Sequence, residues 1–327
     1  MKRYFLNRCI FAFTTVLVMV VINFFITKMV PGDPVVGLIG EYPAPPEYVV
    51  RVRHDFGLDQ PIYIQLYYYL SNLLKGDLGF SFANRQPVLS IICERAGHTL
   101  LLMLPALFIS ALVGIALALA ATRRQGGLTD NAITVLTLFG FSMPSFWLAQ
   151  LCLLLFAVHF RILPASGMYS LRAPVTGWGA VWDLLSHMLL PLLSIVAFKV
   201  AVFARTARAS ILGIIGSDFI LTARAKGLGR HHIFWRHVLP NAIIPIVAVF
   251  SYQFGYALTS SLLIETVFGW PGVGYLFVNA ISQRDFPVIQ GVLLLSTIMI
   301  VAANLFADVL YPLLDPRIRG GLSAGHD

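Results

Sequence analysis

The 327 residues are 58% hydrophobic and only 12% charged, with mean hydropathy +0.80, about half the charge content of a soluble domain. Such a chain is a polytopic membrane protein, and a soluble enzyme or scaffold is excluded. The net charge of +8 does not point to nucleic acid, because the basic residues are scattered between apolar runs instead of forming one stripe.

The N-terminus, MKRYFLNR, precedes an apolar run of about twenty residues with no A-x-A site after it, so it reads as an uncleaved first span. Six stretches satisfy the roughly 20 residues that a crossing needs: 9–30, 99–121, 133–160, 188–205, 242–264 and 288–311. They predict an all-α membrane protein with six transmembrane helices. Its parts are an N-terminal segment and first helix (1–30), an external loop (31–98), a five-helix core (99–311) and a tail (312–327). Pro105, Pro144, Pro191 and Pro245 fall in or near these spans and predict kinks.

Lys and Arg bias sets orientation. Lys2, Arg3 and Arg8, then Arg123 and Arg124, then Arg205, Arg208, Arg224, Lys226, Arg230 and Arg236, then Arg317 and Arg319 fall on one side of the six-span scheme. That side is expected to be the cytoplasm, with both termini there. The external loop contains Pro43, Pro45, Pro46, the tyrosines Tyr63, Tyr67, Tyr68 and Tyr69, and a turn-prone GDLG at 76–79. A loop this long is expected to fold as an external cap, although the tyrosines equally suit an interfacial belt.

The three cysteines, Cys9, Cys93 and Cys152, are odd in number and far apart, which argues against disulfides or a cysteine metal site. Gly140-Phe141-Ser142-Met143-Pro144 admits an intramembrane serine nucleophile with His98, His159 or His187 as base, though a serine before proline is more commonly a kink residue. Lys199 lies inside the fourth span, where it either snorkels toward the cytoplasmic end or serves as a pathway-lining or inter-helix paired charge. Tyr252, Gln253, Thr259, Ser260 and Ser261 make the fifth span polar, for a path or for helix-to-helix hydrogen bonds. Glu265 opens ETVFGWPGVG, whose glycines and proline predict tight turns.

Between the fourth and fifth spans, 217–241 reads SDFILTARAKGLGRHHIFWRHVLPN. Ser217 or Asp218 can cap a helix start, and Gly227 and Gly229 can end it. Such a short helix is marginal alone. Phe219, Ile220 and Ala223 would form a small apolar face, favouring docking into a protein groove over a loop that only fixes topology. His231, His232 and His237 lack the i, i+4 spacing of a helical metal pair, and no phosphate loop G-x-x-x-x-G-K-[ST] occurs.

Asp218, Thr222, Ala223, Arg224, Ala225, Lys226, Gly227 and Leu228, followed by His237, Leu239, Pro240 and Asn241, resemble the coupling motif of ABC importer permeases of the peptide/nickel branch. Thr222-Ala223-Arg224 stands where most importers have Glu-Ala-Ala. The resemblance extends through Gly32-Asp33-Pro34, Phe56-Gly57-Leu58-Asp59-Gln60-Pro61, Gly76-Asp77-Leu78-Gly79, Pro144-Ser145-Phe146, Leu163-Pro164, Pro271-Gly272-Val273-Gly274, Asp308 and Asp315-Pro316-Arg317.

It implies a type I importer permease fold with a coupling helix between helices 4 and 5. It also implies a bacterial inner-membrane location, a second homologous permease, two ATP-binding subunits that carry ATP and Mg, and a periplasmic solute-binding protein. On this reading the chain itself holds no cofactor, metal or catalytic residue. Lys199, Tyr252, Gln253 and Thr259 are candidates for the translocation path, and Glu265, Phe268, Pro271 and Gly272 for an external gate. Ala223 and Gly227 are expected to allow close packing, with Arg224 and Lys226 as rim charges. Dipeptides, oligopeptides, glutathione, nickel chelates and opine-like compounds all fit the branch. A self-sufficient proton-driven carrier would need more midplane ionisable groups than Lys199.

Overall fold

The computed structural model describes residues 2–29, 45–55, 57–81, 83–170 and 176–314. Gly32, Asp33, Pro34, Pro43, Phe56 and the tail residues from Asp315 onward lie outside them.

Helix α1 (Lys2–Met29) is followed by two shorter helices, α2 (Pro46–Asp55) and α3 (Ile62–Leu74). A two-residue hairpin follows, β1 (Phe80–Ser81) with β2 (Gln86–Pro87), antiparallel and pairing Phe80 with Pro87. Next come α4 (Val88–Arg123), α5 (Leu128–Ser142) and α6 (Ser145–Cys152), which continues as a π-helical segment Leu153–His159. Beyond α7 (Trp178–Ile215) lies the short α8 (Asp218–Ala225). Then α9 (Arg230–Ile233) passes through a π-helical turn, Phe234–Val238, into α10 (Leu239–Gly255). The chain closes with α11 (Ala257–Ser260), α12 (Leu262–Phe268), α13 (Val273–Ser282) and α14 (Phe286–Leu314).

Among the described residues five continuous helices are long and apolar enough to cross a bilayer, or six when the α5–α6 pair, bent by 96°, is counted as one span. The third span, expected over 133–160 with a kink at Pro144, is bent far enough to form two helices. Pro144 has no N–H and pushes the preceding residue out of helical conformation; Met143 is extended, at φ −81° and ψ 133°. Pro105, Pro191 and Pro245 lie in helices that run through them. The fourth span outgrows its expected 188–205 at both ends. The 38 residues of α7 reach about 57 Å, well beyond the roughly 30 Å hydrocarbon layer. The fifth span covers Arg230–Gly255 instead of 242–264, and the residues beyond it form the separate α11 and α12. The second begins at Val88, inside the stretch assigned to the external loop.

Close packing positions these rods. A Cβ on Gly114 of α4 would lie 2.6 Å from the Cβ of Phe203 and 2.9 Å from the backbone nitrogen of Ala204 on α7, so the two helices meet where only glycine fits. Arg208 of α7 holds Asp130 at the start of α5 through two bonds, Nε to Oδ1 at 2.7 Å and Nη2 to Oδ2 at 2.8 Å. The Gly126 N–H donates to the same carboxylate at 2.9 Å, fixing the α4–α5 turn. Arg8 pairs with Asp308 at 3.2 Å, and Gln290 donates to the Thr27 hydroxyl at 2.7 Å, so α14 lies against α1.

The β1–β2 hairpin is anchored at the start of α14. The Ser81 hydroxyl donates to the buried Asp285, just before the first residue of that helix. Burial pushes the Asp285 carboxyl above the usual range. The tyrosines divide: Tyr69 stacks on Phe24 of α1 at 5.5 Å, whereas Tyr63, Tyr67 and Tyr68 are exposed along α3.

Candidate coupling helix and external gate

α8 starts at Asp218, as its sequence predicts, but the Ser217 side chain does not cap it. That hydroxyl donates back to the Ile214 carbonyl at 2.6 Å, while the Ser217 carbonyl accepts from Ile220 and Leu221 at 3.0 and 3.2 Å. At the other end Gly227 takes φ +79°. Its N–H donates to Arg224 at 2.9 Å and that of Leu228 to Ala223 at 3.3 Å, closing the helix with the paired bonds typical of a left-handed glycine cap.

The faces of α8 are not those expected. Ile220 and Ala223 point into the chain's own core, beside Ile211, Ile233 and Val238, so they fasten the helix to the bundle and do not offer a docking face. Asp218, Phe219, Leu221, Thr222, Arg224, Ala225, Lys226, Gly227 and Leu228 are exposed. Five apolar residues, Phe219, Ile220, Leu221, Ala223 and Ala225, are spread around this eight-residue helix, so its inward side is undecided until the surface it packs on is known. Gly227, expected to permit close packing, stands in open space: a Cβ on it would have no neighbour within 4 Å. Within this chain, what calls for glycine there is the left-handed φ of +79°.

The histidines do not converge. His231 accepts from Trp235 Nε1 at 3.0 Å, the His232 and His237 rings stand 6.1 Å apart, and no three potential metal ligands gather among the described residues.

At the opposite end, Glu265 on α12 is wholly buried. Its Oε1 accepts from Thr99 of α4 at 2.7 Å, and its Oε2 from the backbone N–H groups of Gly274 and Tyr275 at 2.7 and 3.1 Å. The carboxylate therefore sits at the N-terminus of α13, where unpaired amides and the helix dipole favour negative charge. Thr99 Oγ1 also accepts from the Val273 N–H at 2.9 Å. The approach demands glycine: a Cβ on Gly272 would fall 2.4 Å from Glu265 Oε1, and one on Gly274 2.5 Å from the Leu262 Cα.

The intervening turn is held from α4. His98 Nδ1 lies 3.0 Å and Arg95 Nη1 3.2 Å from the Pro271 carbonyl, and Trp270 Nε1 donates to the His98 carbonyl at 3.0 Å. The carbonyl of the buried Phe268 accepts from Gly167 at 2.9 Å. Glu265, Phe268, Pro271 and Gly272 thus belong to one knot with Arg95, His98, Thr99 and Trp270. Of these four partners, sequence reasoning singled out only His98, and for a different role. The available signal was an acid followed by two glycines at one-residue spacing before a helix.

The four candidate path residues do not meet. Lys199 is 4% exposed inside the bundle and makes no hydrogen bond or ion pair among the described residues. Tyr252 and Thr259 are exposed and Gln253 is half-buried; the Tyr252 ring lies 4.5 Å from that of Tyr256 one turn on. The hydrolase alternative is overturned at Ser142. Its hydroxyl donates to the Leu138 carbonyl at 2.8 Å, while His98 faces Pro271 and His187 faces the Asp183 carbonyl at 2.8 Å.

Residues 101–320 match the family of binding-protein-dependent transport system inner membrane components, and residues 1–103 match its N-terminal portion. The chain belongs to this family. The permease is 36% identical to the dipeptide transport system permease protein DppB of Escherichia coli (strain K12), over 98% of this chain and 99% of that protein. It is 35% identical to the di/tripeptide transport system permease protein DppB of Pseudomonas aeruginosa (strain UCBPP-PA14), over 91% and 93%. Among solved structures it resembles an inward-facing MetNI methionine ABC transporter, with TM-score 0.54 and 16% identity over 69% of this chain and 96% of that one. An amino acid ABC transporter solved with histidines gives TM-score 0.50, also at 16% identity, over 68% and 93%. The permease therefore has the type I ABC importer fold and acts in solute import, not hydrolysis.

Proposed function

We propose that this chain is one of two permeases forming the membrane path of a bacterial importer of short peptides. The near full-length match to proteins named for dipeptide and di/tripeptide transport supports peptides over nickel chelates, glutathione or opine-like solutes. A periplasmic solute-binding protein delivers the solute. Two cytoplasmic ATP-binding subunits supply ATP and Mg, since this sequence contains no phosphate loop. The distribution of Lys and Arg supports inner-membrane insertion with both termini inside.

The observation that carries the coupling role is the split of α8. Ile220 and Ala223 are buried in the bundle while Phe219, Leu221 and Leu228 stay exposed beside Arg224 and Lys226, which leaves an apolar and basic surface for one ATPase. Closure of the ATPase pair moves α8, and because α8 is bound to the core, the spans follow. Ligands shift such a two-state element only through different affinity for its two states. The exposed Tyr252 and Thr259 face the companion permease, so the path forms between chains. Lys199 stays within this one.

Leu221→Asp tests this. It is expected to leave membrane insertion and melting unchanged, to abolish copurification of the ATPase, and to reduce uptake of a labelled dipeptide to background. Wild-type uptake by this variant sinks the coupling assignment. Competition by unlabelled tripeptide, glutathione and a nickel chelate checks the solute, and peptide is expected to compete best.

A further inference from the structure

A cavity of about 460 Å³ lies between α8, the end of α4 and the start of the fifth crossing, a volume typical of small-ligand sites. Its floor is apolar, with Leu119, Ile220 and Val238 among its walls, and Arg123, Arg224 and Arg230 stand at it as well. All three arginines are exposed, and none has a carboxylate partner among the described residues. Trp235, also lining the cavity and 54% exposed, presents an amphipathic ring of the kind that gathers at membrane surfaces.

We infer that this cavity holds one anionic phospholipid, with its phosphate among Arg123, Arg224 and Arg230 and an acyl chain along the apolar floor. Each part of the lipid meets a matching part of the cavity. The phosphate finds three guanidiniums that have no carboxylate partner among the described residues and suit bidentate contact, and the chain finds walls contributed by the ends of three membrane-crossing helices. A free phosphate would leave the apolar walls unused. The ATPase surface proposed above is the outward side of α8, with Phe219, Leu221 and Leu228, whereas the cavity is walled by Ile220 on the inward side and by Arg123 and Arg230 from other helices; Arg224 stands at the border of the two. A lipid here touches α8 and the spans together, so the bilayer's anionic content tunes how firmly the coupling helix follows the bundle. That functional consequence rests on the coupling role proposed above; the binding itself does not.

The complete importer, with its ATPases, is purified carrying Arg123→Gln and Arg230→Gln together, and lipids retained by this chain are identified by native mass spectrometry. Wild type is expected to keep one phosphatidylglycerol or cardiolipin. Loss of two basic contacts should weaken retention about twenty- to thirtyfold, and Arg123→Lys with Arg230→Lys, which keeps the charge without the bidentate fork, should restore part of it. Peptide-stimulated ATP hydrolysis is then compared in vesicles of phosphatidylcholine alone and of equal parts phosphatidylcholine and phosphatidylglycerol. Wild type should run several-fold faster in the mixed vesicles, and the glutamine variant at one rate in both.

Equal lipid retention by wild type and the glutamine variant overturns the proposal. So does dissociation of the ATPase from that variant in phosphatidylcholine, which would make the cavity an ATPase contact, or rescue by inorganic phosphate, which would make it a free-anion site. If lipid is retained through these arginines while the wild-type complex shows no peptide-stimulated hydrolysis, the cavity assignment stands and the coupling assignment falls.

Discussion

The turn between α12 and α13 and the helix α8 are both short connecting pieces at the ends of long helices, yet they are fastened in different ways. The turn is held by side-chain hydrogen bonds reaching across the fold: Thr99 to Glu265, Arg95 and His98 at Pro271, and Trp270 to His98. α8 is fastened by the apolar contacts of Ile220 and Ala223 and leaves its charges exposed. Buried polar bonds are directional and costly to break singly, so the first piece has one arrangement. Apolar contacts tolerate small slips, and exposed charges remain free for a partner. The α12–α13 turn is rigid within the chain, and α8 is the piece proposed above to be completed by another.

Glu265→Ala strikes the contrast hardest. It strands the amides of Gly274 and Tyr275 and the Thr99 hydroxyl, for an expected loss of about 3 kcal/mol or more, read as a large fall in melting temperature. Glu265→Gln should recover part of it. A melting curve like that of wild type for the alanine variant would show that the knot does not hold this end. Gly272→Ala is the finer probe of the same knot. Its methyl collides with the Glu265 carboxylate, costing about 1–3 kcal/mol, and peptide uptake is expected to fall with melting temperature.

Gly227→Ala has the smallest effect. It meets no neighbour but must hold a left-handed conformation, at about 1 kcal/mol. It should loosen α8 locally, seen as faster amide exchange at Leu228, with global melting almost unmoved. A large drop in global melting from Gly227→Ala would erase the distinction between the two ends.

Much of this architecture is legible in the sequence because hydrocarbon leaves few alternatives to helices. The apolar runs locate the crossings, and Asp218 and Gly227 bracket α8 closely. What escapes is whatever depends on another segment. Thr99 and Glu265 are 166 residues apart, so no local pattern pairs them. Pro144 announces a disturbance, but the 96° angle depends on what packs around it. Tyr252 and Gln253 are neighbours in the chain with different exposure, and helical periodicity alone does not say which of them meets the outside.

Gly114 bears on what moves when α8 is pushed. The shaft behind α8 is α7, connected through Gly216 and Ser217 alone, and α7 is seated in α4 where a single methyl would have to displace Phe203 and Ala204. Under the coupling role proposed above, a push at the short helix is a push on a two-rod beam. The stiffness of the stroke is set at a glycine far along the chain from the piece that receives the force.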